Sequence, residues 1–224
     1  MPVNLQNCAE PGICIVHADA AIVVLHKPSG LLSVPGRGAD KQDCLSARVQ
    51  AEFADALVVH RLDMSTSGLV VMARGAAAQR ALNEAFANRA VTKRYEAIVQ
   101  GEVVQSAEDW RVIDLPIAVD WPNRPLRVIN QATGKPSLTR LQRLRFDAVH
   151  NTSHVLLEPL TGRTHQLRLH LQAIGHPILG DALYAPPDVV TMAPRLMLHA
   201  CALGFNHPAT GVAMEFSLPA LASA

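Results

Sequence analysis

Apolar residues in this chain come in short runs divided by polar turns, a spacing that calls for strands more often than helices. Residues 13–16 and 22–25 are β-rich and flank His17, Ala18, Asp19 and Ala20, which predicts two short antiparallel strands. Val58 and Val59 lead into His60, Arg61, Leu62 and Asp63; after Ser65, Thr66, Ser67 and Gly68 a second apolar run fills residues 69–72. That order predicts a strand, a loop and a strand, with the loop at the rim of a sheet and held from both sides. Residues 91–99 alternate and put Val91, Lys93, Tyr95, Ala97 and Val99 on one side. Further strands are expected at 125–129, 137–146 and 153–159, the first two joined by a hairpin at 130–136. A last hairpin is expected to pair 195–205 with 212–218. Helical spacing is rarer. Residues 43–54 place Leu45, Val49 and Phe53 on one face, with Asp40 or Asp43 as cap, and residues 76–88 do the same with Ala78, Leu82, Ala85 and Phe86. Thr164 is the expected cap of a third helix, with Leu167, Leu171 and Ile174 as its stripe and Gly175 as its stop. The irregular stretch 101–125 is the expected boundary between two sub-lobes.

Composition narrows the function classes. The chain has 224 residues, enough for one large domain or two closely packed halves. No apolar run approaches the roughly 20 residues of a membrane span, and no basic region followed by an apolar block opens the sequence, so a cytoplasmic protein without membrane contact is expected. The cysteines (Cys8, Cys14, Cys44, Cys201) form no CxxC pair, which favours reduced thiols over disulfides or zinc. Net charge is only +1, yet residues 121–180 hold eight Lys or Arg against Asp147 and Glu158. Such an asymmetry fits a localised face for a polyanion, and it equally fits solvated strand faces. His165 and His170 are five apart, about 140° around a helix, and do not share a face as paired metal ligands would. With no P-loop and no dinucleotide fingerprint either, neither a metal nor a cofactor is expected.

Two charged residues ask for partners. Asp63, between Leu62 and Met64, is expected to be partly buried, and a buried carboxylate is costly unless a cation or several donors meet it. Arg168 falls beside the apolar stripe of its helix and needs an anion. A mutual ion pair would satisfy both; a turn-capping role for Asp63 and a different acid for Arg168 are the plainer alternatives.

The strings that carry these residues have a familial look. His60-Arg61-Leu62-Asp63 followed by Ser67-Gly68 and an apolar run, the stretch KPSGLLSVPG at 27–36, Lys93-Arg94-Tyr95, and TGRTHQLRLH at 161–170 together resemble the motifs of the RluA family of pseudouridine synthases, in the family's order. The resemblance runs from about Ile15 to Pro219. It implies an α+β fold with a long mixed, mostly antiparallel sheet in two sub-lobes, flanking helices and a central cleft. It implies one catalytic domain over 1–224, with its core at about 13–219 and no S4-like RNA-binding domain. The implied reaction converts uridine to pseudouridine in RNA by base flipping, with no cofactor. Asp63 would be the catalytic carboxylate, Tyr95 the ring that stacks on the target base, and Arg168 the partner that keeps Asp63 ionised. Arg61, supported by His60, would fill the gap left in the RNA stack, and Lys93, Arg124, Arg163 and Lys27 are phosphate candidates. Chain length matches the short members that act on both ribosomal RNA and the tRNA anticodon stem-loop, as monomers. The alternatives are a member with a single RNA target, a non-catalytic RNA-binding module, and a metal-dependent hydrolase around His165.

Overall fold

The computed structural model describes residues 13–104, 109–219 and 221. The strands are β1 (Cys14–Ala18), β2 (Ile22–Lys27), β3 (Ala56–Val58), β4 (Ser67–Arg74), β5 (Thr92–Gln100), β6 (Arg111–Asp114), β7 (Ile117–Val119), β8 (Arg127–Ile129), β9 (Leu138–Asp147), β10 (Thr152–Pro159), β11 (Leu198–Asn206) and β12 (Ala213–Ser217). The helices are α1 (Leu45–Glu52), α2 (Gly75–Ala87), α3 (Gln166–Ala173) and α4 (Pro187–Thr191). The class is α+β with a large, mostly antiparallel sheet, as expected. Two compact units divide the chain: residues 1–93 with 200–219, and residues 94–199 with 220–224. The division falls inside β5 and β11, not in the 101–125 stretch. That stretch reads as irregular because its strands are short, and β6, among the described residues, is an edge strand paired with β9.

In the first unit, β1 and β2 pair antiparallel across a turn closed by Asp19, whose Oδ1 accepts the Ala21 and Ile22 N–H groups at 2.7 and 2.9 Å. β2 and β3 both pair with β4, and β11 and β12 form the predicted final hairpin. β2 and β4 are buried along almost their whole length, which is why both read as unbroken apolar runs. Ile22, Val24, Leu69, Val71, Leu82, Phe205 and Phe216 belong to its core. Cys44, rather than Asp40 or Asp43, caps α1, its Sγ accepting the Ala47 N–H at 3.5 Å, while Asp43 is held by Arg48. Cys44 and Cys201 are buried free thiols, and Cys8 lies outside the described residues.

In the second unit the strand order is β5, β10, β9, β6, all antiparallel, and Tyr95 stands opposite Leu157. β8 does not pair with β9. It pairs with β7 in a separate two-stranded sheet, because the Asn130 side chain takes the Ala132 and Thr133 N–H groups and Lys135 then bridges back to Ile117. The sequence pattern showed two strands around a turn but not which neighbour each would choose. α3 begins one residue later than expected. Its N-cap is His165, in the left-handed conformation at φ 58°, and Thr164 makes no cap; Gly175, at φ 86°, ends the helix as predicted.

Candidate active site

Asp63 lies in the loop between β3 and β4, half-buried, with Leu62 buried and Met64 exposed on either side. The loop is gripped by the segment after β2. Ser33 Oγ accepts the Leu62 N–H at 3.1 Å and donates to the Leu62 carbonyl at 2.7 Å. Gly30 N–H donates to the Met64 carbonyl at 2.9 Å, and Ser29 Oγ donates to the Ser65 carbonyl at 2.7 Å. Lys27 adds a fourth tie. Its Nζ donates to the carbonyls of Pro28, Leu31 and Met64 at 2.8, 2.7 and 3.0 Å. The main chain before and after Asp63 is therefore fixed by side chains and backbone of one neighbouring loop. A Cβ on Gly68, at φ 122°, would collide with the main chain of Ala200, so only glycine lets β4 start where the loop ends.

This geometry corrects one assignment. Lys27 is fully buried at 0% exposure and its three donors are taken by carbonyls, so it does not bind a phosphate. Burial pushes its pKa down to about 8, and the charge of Asp63 works against that fall. Its place is underneath the carboxylate loop, as a cation that neighbours Asp63.

His60 is also a fixed part of this loop. Its Nε2 accepts the Val71 N–H at 3.1 Å, which puts the ring proton on Nδ1, and the ring stacks on Phe86 at 4.7 Å. Burial, with Lys93 nearby, lowers its pKa to about 3, so it is neutral and anchors the loop that carries Arg61 to β4 and α2. Arg61, one residue on, is exposed.

In the second unit, Arg168 is buried in the first turn of α3. Its Nε donates to Asp181 Oδ2 at 2.8 Å and its Nη2 to Asp181 Oδ1. This side-on pair uses two of the five guanidinium donors. Asp181 is itself held, since Oδ1 also accepts the N–H groups of Leu183 and Tyr184 at 3.0 and 3.3 Å. Gly180, at φ 72°, precedes it where a Cβ would strike the Arg195 carbonyl. The Tyr184 ring lies 5.3 Å from the Arg168 guanidinium carbon. Arg127 N–H donates to the Tyr184 hydroxyl at 3.0 Å, so that hydroxyl gives its own proton to His165 Nδ1 at 2.7 Å. Burial raises the Tyr184 pKa and keeps it the donor. Tyr95 is half-buried in the same unit and packs against its core.

The basic stretch 121–180 is less open than its composition suggests. Arg140 pairs with Glu158 at 2.8 Å and Arg143 with Glu102 at 3.0 Å, and Arg168 belongs to Asp181. Two of those acids lie outside the window, so a count along the sequence could not see them. Arg124, Lys135 and Arg163 are exposed, and Lys93 is half-buried with its pKa lowered by burial. Among the described residues no group of three or more His, Cys, Asp or Glu could hold a metal ion. His170 Nε2 donates to the Leu115 carbonyl at 2.9 Å, and its ring is buried.

Comparison of the whole chain with known proteins shows its family. The sequence profile described as RNA pseudouridylate synthase matches residues 21–173. The chain belongs to this family. It is 48% identical over 217 residues to the dual-specificity RNA pseudouridine synthase RluA of Salmonella typhi, covering 97% of each chain. The protein of that name from Escherichia coli K12 matches at the same identity and coverage. Among solved structures, human RNA pseudouridylate synthase domain containing 1 superimposes with a TM-score of 0.76 at 32% identity, over 95% of this chain and 86% of that one. Human RNA pseudouridylate synthase domain containing 4 gives 0.70 at 25% identity, over 91% and 87%.

As an RNA pseudouridine synthase the chain isomerises uridine within RNA. The sequence motifs draw attention to Asp63 and Arg168 but not to the residues that hold them. Asp181, Ser29 and Ser33 were passed over, and each is a small polar residue in a Gly- or Pro-containing turn. The one available signal was the pairing rule itself: a buried arginine demands an acid, and His176-Pro177-Ile178-Leu179-Gly180-Asp181 supplies one 13 residues later.

Proposed function

We propose that Asp63 is the catalytic carboxylate of a synthase with two kinds of substrate, ribosomal RNA and the anticodon stem-loop of tRNA. The observation that carries the assignment is the clamp on both flanks of Asp63, since a reacting group must be held to within fractions of an ångström. The dual specificity rests on relatives of that name at 48% identity over 97% of the chain.

The reaction breaks the bond from uracil N1 to ribose C1′, turns the base in place and joins C5 to C1′. Reactant and product contain the same atoms, so no cosubstrate is consumed. Asp63 acts by attack on C1′, by attack on uracil C6, or by removing a ribose proton. Arg168 is the cation proposed to keep Asp63 ionised and oriented. Tyr95 stacks on the extruded uracil and relays the C5 proton. Arg61, exposed beside the carboxylate, fills the space the base leaves. Arg124, Arg163 and Lys93 contact phosphates.

Residues 1–224 work as one catalytic domain, monomeric and cytoplasmic; no helix of the described residues is long and apolar enough to cross a membrane. Mapping pseudouridine in ribosomal and transfer RNA from cells with and without the protein tests the specificity. Loss of sites in both RNA classes is expected, and loss in one alone identifies a single-target enzyme.

A further inference from the structure

The hairpin joining β7 to β8 carries Asp120, Trp121, Pro122, Asn123, Arg124 and Pro125 at its tip. Its strands are short, but the tip is tightly built. Asp120 Oδ1 accepts the Asn123 N–H at 3.3 Å and Oδ2 accepts from Asn123 Nδ2 at 3.0 Å. Leu126 N–H donates to the Asn123 carbonyl at 2.9 Å, and Asp120 N–H donates to the Leu126 carbonyl at 3.2 Å. On this frame the Trp121 side chain is left 66% exposed, with the Arg124 guanidinium 4.7 Å from its ring centroid. A large indole held in water on this turn forgoes the gain of burial, and its electron-rich face attracts the Arg124 cation.

What would cover this plate follows from its surroundings. Between Trp121 and Phe146 the sequence has six Lys or Arg and no acid. Arg140 and Arg143 are neutralised by Glu158 and Glu102, whereas Arg124 and Lys135 are exposed. Arg163, also exposed, reaches the Pro136 carbonyl at 3.5 Å and so stands beside Lys135. An aromatic plate within a basic patch fits a polyanion with flat faces, not an apolar protein surface. The hairpin is also tied to the buried arginine. Arg127 of β8 donates its N–H to the Tyr184 hydroxyl, and the Tyr184 ring is the one that lies over Arg168.

We infer that Trp121 and Arg124 form a subsite for an unpaired base of the RNA substrate: the base stacks on the indole, and Arg124, Lys135 and Arg163 hold the adjoining phosphates. This deepens the proposed function and rests on the reading that Arg168 serves the reaction. Paired RNA hides its base faces, so the subsite selects loops over continuous duplex.

The test uses the full-length protein, a synthetic RNA stem-loop with unpaired uridines, and the same stem closed as a duplex. Fluorescence anisotropy gives the affinities, and pseudouridine formation in the stem-loop is measured alongside. Trp121→Ala is expected to weaken stem-loop binding about tenfold, the loss of one stacked base, with duplex binding unchanged. Trp121→Phe, which keeps a ring, is expected to stay within about threefold of the native protein. Native affinity for the stem-loop in Trp121→Ala, or an equal loss on duplex, overturns the subsite. If pseudouridine still forms in those cases, the enzymatic reading stands without it. A native protein that forms none overturns both.

Discussion

The two units hold their charged residues by opposite means. Around Asp63 the grip is on the main chain: Ser33, Gly30, Ser29 and Lys27 bind the peptide groups of Leu62, Met64 and Ser65. Around Arg168 the grip is on the side chain, through Asp181 and the face of Tyr184. Anchoring through the main chain positions a group by way of its neighbouring peptide groups, which suits the reacting role proposed for Asp63. Anchoring through the side chain fixes a charge in place, which suits the electrostatic role proposed for Arg168. Damage to the second arrangement should therefore appear first as lost stability, and damage to the first as lost turnover.

The largest expected stability effect is on the Arg168 side. Asp181→Ala leaves a buried guanidinium without its carboxylate and is expected to cost about 3–5 kcal/mol, read from urea denaturation. A cost below about 1 kcal/mol would mean that Asp181 is dispensable to Arg168. Next comes Ser33→Ala, which unpairs a buried N–H and carbonyl of Leu62 and is expected to cost about 1–3 kcal/mol. Its sharper signature is kinetic: kcat falls about tenfold with little change in KM, because the loop that aims Asp63 is loosened. Equal kcat in native and variant protein would remove the link between the clamp and turnover.

The smallest effect concerns His60. Its folded pKa of about 3 lies below the ordinary value of 6.5, so the unfolded chain takes up a proton first as pH falls. The contribution is complete above about pH 6.5 and drains away toward pH 3, amounting to about 1–2 kcal/mol by pH 5. His60→Gln, which keeps an acceptor for the Val71 N–H, is expected to lose less stability than the native protein between pH 7 and pH 5. Equal losses would show that His60 already carries its proton in the folded state.

How much of this was legible in the sequence depended on range. β4 was plain because burial on both faces leaves an uninterrupted apolar run, and Gly175 was plain because a helix stop is a local event. Asp63, Tyr95 and Arg168 stood out through their motifs. The Lys27 position misled, because a lysine beside Pro28 and Gly30 reads as a surface cation until three carbonyls are seen to turn inward on it. The pairing of β8 with β7, the His165 cap and the service of Asp181 to Arg168 each depend on which distant segment arrives alongside. Periodicity along the chain carries no record of that. The same blindness inflated the basic stretch, whose arginines are met by acids from Glu102 and Asp181.

The role of Asp63 itself is tested most directly by Asp63→Asn, which keeps the size and the loop but removes the charge. Pseudouridine formed in a uridine stem-loop, quantified by mass spectrometry under single-turnover conditions, should fall at least about 1,000-fold, while the affinity for that RNA stays within about threefold of native. Turnover within about tenfold of native in a preparation free of other synthases would place the reaction on a different group.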